Sequence, residues 1–92
     1  MNRKELAETI AQETGLTAAQ AEAAVGAVID GVVEAVAAGE KVALAGLGTF
    51  EQRPRAARSG RNPQTGEVLE IAATVVPTFK PATAFKRAVA AR

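Results

Sequence analysis

Residues 58–67 read RSGRNPQTGE: two glycines, one proline and two arginines, with no large apolar side chain in ten positions. No hydrophobic core accepts such a run, because its polar groups would lose water without replacement. The chain has to present it at the surface and build its core from the flanks. On the C-terminal flank, Leu69, Ile71, Ala73 and Val75 alternate with Val68, Glu70, Ala72, Thr74 and Val76; on the other, Thr49 to Arg55 alternates loosely. Two such runs around a glycine- and proline-containing turn predict a β-hairpin with RSGRNPQTGE at its tip. Pro77 is expected to close the second strand, and Ala56-Ala57 interrupts the first, where a bulge or added twist is expected. A short apolar piece, Lys41 to Ala45, and a turn at Gly46-Leu47-Gly48 precede the hairpin.

The first 39 residues follow a different period. Asn2 stands before a helical pattern carried by Leu6 and Ile10, and Gly15 supplies a left-handed stop. Thr17 and Gln20 have capping-box spacing, with Leu16 placed to staple onto Ala21. Val25, Val28, Ile29, Val32 and Val36 then form one stripe on a helix that ends near Gly39, a stripe suited to core or dimer interface. Gly26 and Gly31 lie inside this helix, where each costs about 1 kcal/mol relative to alanine, and close contact with a partner helix would explain them. A last helix is expected from about Ala82 to Ala91, with Phe85 and Val89 one turn apart. The fold class is α+β with an antiparallel sheet.

The stripe is thin for a chain of 92 residues, since alanine supplies 22 of its 44 apolar residues. Each larger aliphatic contributes only about 1.5–3 kcal/mol when fully buried. Oligomerisation is therefore expected, adding buried area without disulfide or metal. There is no cysteine and no histidine, which excludes thiolate zinc sites, imidazole catalysis and histidine-activated nucleophiles. No apolar run has the length of a signal peptide or membrane span, and a soluble intracellular protein fits best. Glu5, Glu8 and Glu13 read as a solvated helix face, so no enzyme is expected, no cofactor is implied, and the run from Gly60 to Gly66 does not lead into a phosphate-loop lysine.

Net charge is only +1, but it is polarised. Residues 1–51 hold three bases and eight acids; residues 52–92 hold eight bases and two acids. Residues 52–66 carry Arg53, Arg55, Arg58 and Arg61 with no acid. Arginine forks suit phosphate, and a two-stranded ribbon lacking a core gains stability from a partner surface. Pro63, rigid and without an N–H, could wedge between base pairs with arginines in the adjacent minor groove. On these residues alone three readings stand: a nucleic-acid arm, an ordinary solvated turn, and a surface for acidic protein or lipid.

The order of motifs resembles one family from end to end: MNRKEL at the start, GLGTFE at 46–51, RxxRxGRNPQTGE at 55–67, VPTFK at 76–80 and FK at 85–86. The chain resembles the bacterial HU/IHF histone-like, nucleoid-associated DNA-binding proteins, HU more than IHF. The resemblance implies an intertwined dimer whose N-terminal halves (1–39) form the body. It implies a three-stranded sheet within 40–81, extended around 53–76 into a β-ribbon arm, and a C-terminal helix at 82–92. It implies a homodimer, or a heterodimer with a paralogue, in the bacterial cytoplasm on the nucleoid, bending and compacting double-stranded DNA with no membrane partner. The implied DNA-binding residues are Arg53, Arg55, Arg58, Arg61, Asn62, Pro63, Gln64 and Thr65 on the arm, Lys80 and Lys86 on the body, and Arg3 at the N-terminal end. Pro63 would intercalate from the minor groove.

Alternatives are a sequence-specific IHF-like subunit and a single-strand-binding module, the latter disfavoured because the arm has no aromatic stacking platform. Some positions depart from the family pattern. Leu47 stands where many relatives have phenylalanine, and Ala82 follows Pro81 where glycine is usual, which bears on the start of the last helix. Thr83, Glu67 and Glu70 stand where some relatives carry lysine, which implies fewer phosphate contacts and a shallower salt dependence.

Overall fold

The computed structural model describes residues 1–91, in two compact units, 1–35 and 36–91. The first is helical. Helix α1 (Arg3–Thr14) opens where the Asn2 side chain accepts the Glu5 N–H at 2.9 Å, and it closes on Gly15 in the left-handed region at φ 77°. Helix α2 (Ala18–Ala37) opens on a reciprocal pair: the Gln20 N–H donates to Thr17 Oγ1 at 3.1 Å, and the Thr17 N–H donates to Gln20 Oε1 at 3.0 Å. Both starts lie where the capping spacing puts them, because caps are settled within one turn of chain.

Ala7, Ala21 and Val25 form the core of this unit, with Ile10 and Ala11 packed on it. Small residues let the two helices come close. Gly26 is one of them: a Cβ there would meet only the Arg3 guanidinium, the end of a flexible side chain that can move aside, so no contact within the chain requires glycine at this position. Gly31 has open space around it. Of the α2 stripe, Val25 and Val36 are buried, whereas Val28 is 58% and Ile29 42% exposed.

The second unit carries the sheet. Strands β1 (Val42–Leu44), β2 (Gly48–Arg55) and β5 (Thr74–Pro81) form an antiparallel sheet in the order β1-β2-β5, while β3 (Arg58–Arg61) and β4 (Val68–Ile71) pair with each other as a ribbon. Alternation gives the sheet two unlike faces. Phe50 faces Phe79 across the β2–β5 ladder with ring centroids 4.8 Å apart, and Phe79 in turn lies 6.2 Å from Phe85 of α3 (Thr83–Ala90). The opposite face carries Thr49, Glu51, Arg53 and Arg55 on β2, opposite Lys80, Thr78, Val76 and Thr74. At Gly48, φ is 154° and a Cβ would lie 2.6 Å from the Phe79 ring, so the tight entry into β2 requires glycine.

Two expectations are corrected. Pro77 does not close its strand: β5 runs on to Pro81, with Pro77 opposite Gln52. β5 is an edge strand, and alternate residues of an edge strand need no ladder donor, so proline is tolerated there. Nor is there a bulge at Ala56-Ala57. Arg55 faces Thr74 and Arg58 faces Ile71, three residues further along on each side, so the register passes through the gap without a slip. The ladder simply lapses where Ala56-Ala57 meets Ala72-Ala73. Helix α3 begins without a side-chain cap, but Ala82 sits at φ −70° and its N–H donates to the Leu47 carbonyl at 2.9 Å. The alanine thus starts the helix without needing glycine's freedom.

Candidate nucleic-acid interface

The tip owes its shape to the residue types of its motif. The Asn62 N–H donates to the Glu67 carbonyl at 2.8 Å and closes the ribbon. Asn62 then serves twice more: its side-chain oxygen accepts the Gln64 N–H at 2.9 Å, and its carbonyl accepts the Gly66 N–H at 2.7 Å. Pro63, which has no N–H to satisfy, takes the corner between them. The Thr65 hydroxyl accepts the Glu67 N–H at 3.3 Å, and Gly66 turns the chain back through the left-handed region at φ 74°. Two of the candidate contact residues, Asn62 and Thr65, therefore commit acceptors to the turn. Their donors, the Asn62 amide N–H groups and the Thr65 O–H, remain for another molecule. Pro63, Gln64 and Thr65 are exposed.

Below the tip, strand alternation distributes the arginines. Arg53 and Arg55 share the polar face of the sheet, as their spacing predicts. Arg58 and Arg61 are three apart on β3, which places them on opposite faces of the ribbon. All four are exposed. On β4, Val68, Leu69 and Ile71 are exposed as well, so the ribbon has no core behind it.

At the base of the arm the same face carries Lys80, whose ammonium lies 2.8 Å from Glu51 Oε1. The Lys41 ammonium lies 3.5 Å from the other oxygen, Oε2. Glu51 is only 8% exposed. Its carboxyl is held below the usual range by the hydrogen bond from Lys80, against the opposing effect of burial, with the Lys80 and Lys41 charges adding to the lowering. Glu51 and Lys41 are the residues that sequence reasoning missed. The signal was the period of two that sets Glu51 between Thr49 and Arg53, but the register joining β2 to Lys80 spans the whole hairpin. Lys86 is exposed on α3, beside an apolar hollow of about 410 Å³ lined by Phe79, Pro81, Phe85, Val89 and Ala90 as well. Arg3 lies in the helical unit, with its guanidinium against Gly26. Among the described residues no three acidic, histidine or cysteine side chains gather as a metal site, and no single helix is long and apolar enough to cross a membrane.

Comparison with known proteins agrees along the full chain. The family described as "Bacterial DNA-binding protein" matches residues 1–90. The DNA-binding protein HU of Lactococcus lactis is 57% identical over 88 residues, covering 96% of this chain and 97% of that protein. The HU of Geobacillus stearothermophilus is 54% identical over 89 residues, covering 97% and 99%. Among solved structures, the Anabaena HU–DNA cocrystal superposes with a TM-score of 0.92 at 44% identity, over 100% of both chains. With the family matched over residues 1–90 and HU proteins more than 50% identical along nearly the whole chain, the chain belongs to the HU family of bacterial DNA-binding proteins.

Proposed function

We propose that this protein is an architectural double-stranded DNA-binding protein that acts as a homodimer on the bacterial nucleoid in the cytoplasm. It binds duplexes of unrelated sequence and bends them with two β-ribbon arms. The observation that carries the proposal is the continuity of the basic face: Lys41, Lys80, Arg53 and Arg55 share one side of the sheet that leads into the exposed arm with Arg58, Arg61 and the GRNPQTG tip. The cocrystal of an HU relative with DNA supports this reading. Such a face binds phosphates, and site preference comes from how readily a duplex deforms. Pro63, at the rigid corner of the tip, acts as the wedge that opens a base step. Gln64 and the free donors of Asn62 and Thr65 line the groove beside it, while Lys86 and Arg3 reach the backbone from the body.

The dimer rests on what one chain leaves uncovered. Among the described residues, only Ala7, Ala21, Val25 and Val36 are buried apolar residues, whereas Val28, Ile29, Val33, Phe79 and Val89 are exposed. A second copy covers them. Affinity falls steeply with salt, log K dropping by about 0.9 for each phosphate neutralised. Fluorescence anisotropy on a labelled duplex across a salt series checks this, and a flat response removes the proposal. Pro63→Ala leaves dimer mass unchanged but reduces bending and the preference for nicked duplex; unchanged bending by energy transfer removes the wedge.

A further inference from the structure

Within the three-stranded sheet, Glu51 is the carboxylate on the face that carries the charges of Lys41, Lys80, Arg53 and Arg55. It is also nearly buried, while the two lysines above it are open, their side chains 75% and 58% exposed. A carboxylate drawn out of water has to be paired, and here two ammonium groups share that duty. Resting on the proposed function, we infer that Glu51 is a built-in counter-ion that competes with DNA phosphate for Lys80 and Lys41 and so holds down the affinity and salt sensitivity of this face.

The geometry makes the competition direct. Lys80 already donates to Glu51 Oε1 at 2.8 Å. A phosphate oxygen taking another donor of the same ammonium would lie within roughly 6 Å of the carboxylate, close enough for like-charge repulsion. The lysines are also neutralised before DNA arrives. A phosphate that docks on them replaces an existing anion and displaces fewer counter-ions than one docking on a free lysine. Arg53 and Arg55 have no such partner: the ion pairs of the described residues are the two that Glu51 makes. Arg53 and Arg55 are therefore the unpaired charges of this sheet face, and the two lysines at its base are damped. An acid so placed biases binding toward duplexes that engage the arms and away from casual contact with the sheet.

The test is Glu51→Gln, which keeps the side chain's size and an oxygen for Lys80. Anisotropy on a random-sequence duplex of about 30 base pairs is followed from about 50 to about 300 mM KCl. Expected is binding tighter by about fivefold at the low-salt end, the worth of one removed charge at that separation. The slope of log K against log salt steepens by about 0.9 for each lysine released. Lys80→Gln is then introduced into both backgrounds and loses more affinity in the Glu51→Gln chain than in the native one; equal losses overturn the inference. Weaker binding by a folded Glu51→Gln chain, as a purely structural clamp predicts, overturns it too. Should that variant fail to fold by circular dichroism, Lys80→Gln alone decides: its slope falls by clearly less than about 0.9 if Glu51 competes, and by the full amount if it does not. A native chain with a flat salt response fails the proposed function instead, whereas a steep native slope left unchanged by Glu51→Gln fails this inference only.

Discussion

Gly66 offers a way to perturb the tip without touching anything else. Its φ is 74°, and a Cβ built there meets no atom within 4 Å. Replacing it by alanine therefore adds no collision and removes no contact; the whole effect is the left-handed penalty of an L-residue, about 1–2 kcal/mol. The tip has no core to share that strain, since Val68 and Leu69 beside it are 64% and 47% exposed. The arm should respond by leaving this conformation, while the helical unit and the three-stranded sheet keep theirs. If DNA binds the tip in the shape described above, the penalty passes into binding, and about 1–2 kcal/mol becomes a loss of roughly five- to thirtyfold in affinity. Asparagine tolerates the left-handed region better, so Gly66→Asn should fall between the native chain and Gly66→Ala. The assay is anisotropy on one duplex at one salt concentration, with the melting midpoint of each variant measured alongside. Native affinity in Gly66→Ala would refute the reasoning, as would equal losses for alanine and asparagine. A large fall in melting midpoint would also refute it, because the tip would then be supporting the body.

Gly48→Ala makes the opposite case, since its Cβ would meet the Phe79 ring and the Lys80 carbonyl. Overpacking of that kind costs about 2 kcal/mol, which should lower the melting midpoint by roughly 10 °C in a calorimetric scan. Acid should weaken the protein through Glu51. Its carboxyl titrates below the ordinary range, so its stabilisation is fully present above the unfolded glutamate value of about 4.3 and is lost as pH falls through the lower folded value. Urea midpoints measured from neutral pH downward should show this loss, and Glu51→Gln should flatten that part of the profile.

What could be read from residues alone was what is decided locally. Asn2, Gly15 and the Thr17–Gln20 pair announce helix ends because a cap involves three or four neighbouring residues. The tip was legible for the same reason, as every hydrogen bond that shapes it joins residues between Asn62 and Glu67. Pro77 was misread because its tolerance depends on which strand lies at the sheet's edge, a property of topology and not of sequence neighbours. The pairing of Glu51 with Lys80 was missed because only the strand register brings them together. The α2 stripe was read as core or dimer interface, and a single chain divides it: Val25 and Val36 are covered, Val28 and Ile29 are not.

The unslipped register has a consequence for how such an arm can change over generations. From Gly48 opposite Pro81 to Asn62 beside Glu67, one alignment runs through the lapse at the four alanines. Inserting two residues on each side of that joint would carry the tip outward by roughly 7 Å and return every side chain to its own face. Inserting one on each side would invert the arm beyond the joint. Reach is thus quantised, and the alanine joint, with no large side chain to re-pack, is where a chain of this kind can be lengthened or shortened by whole steps.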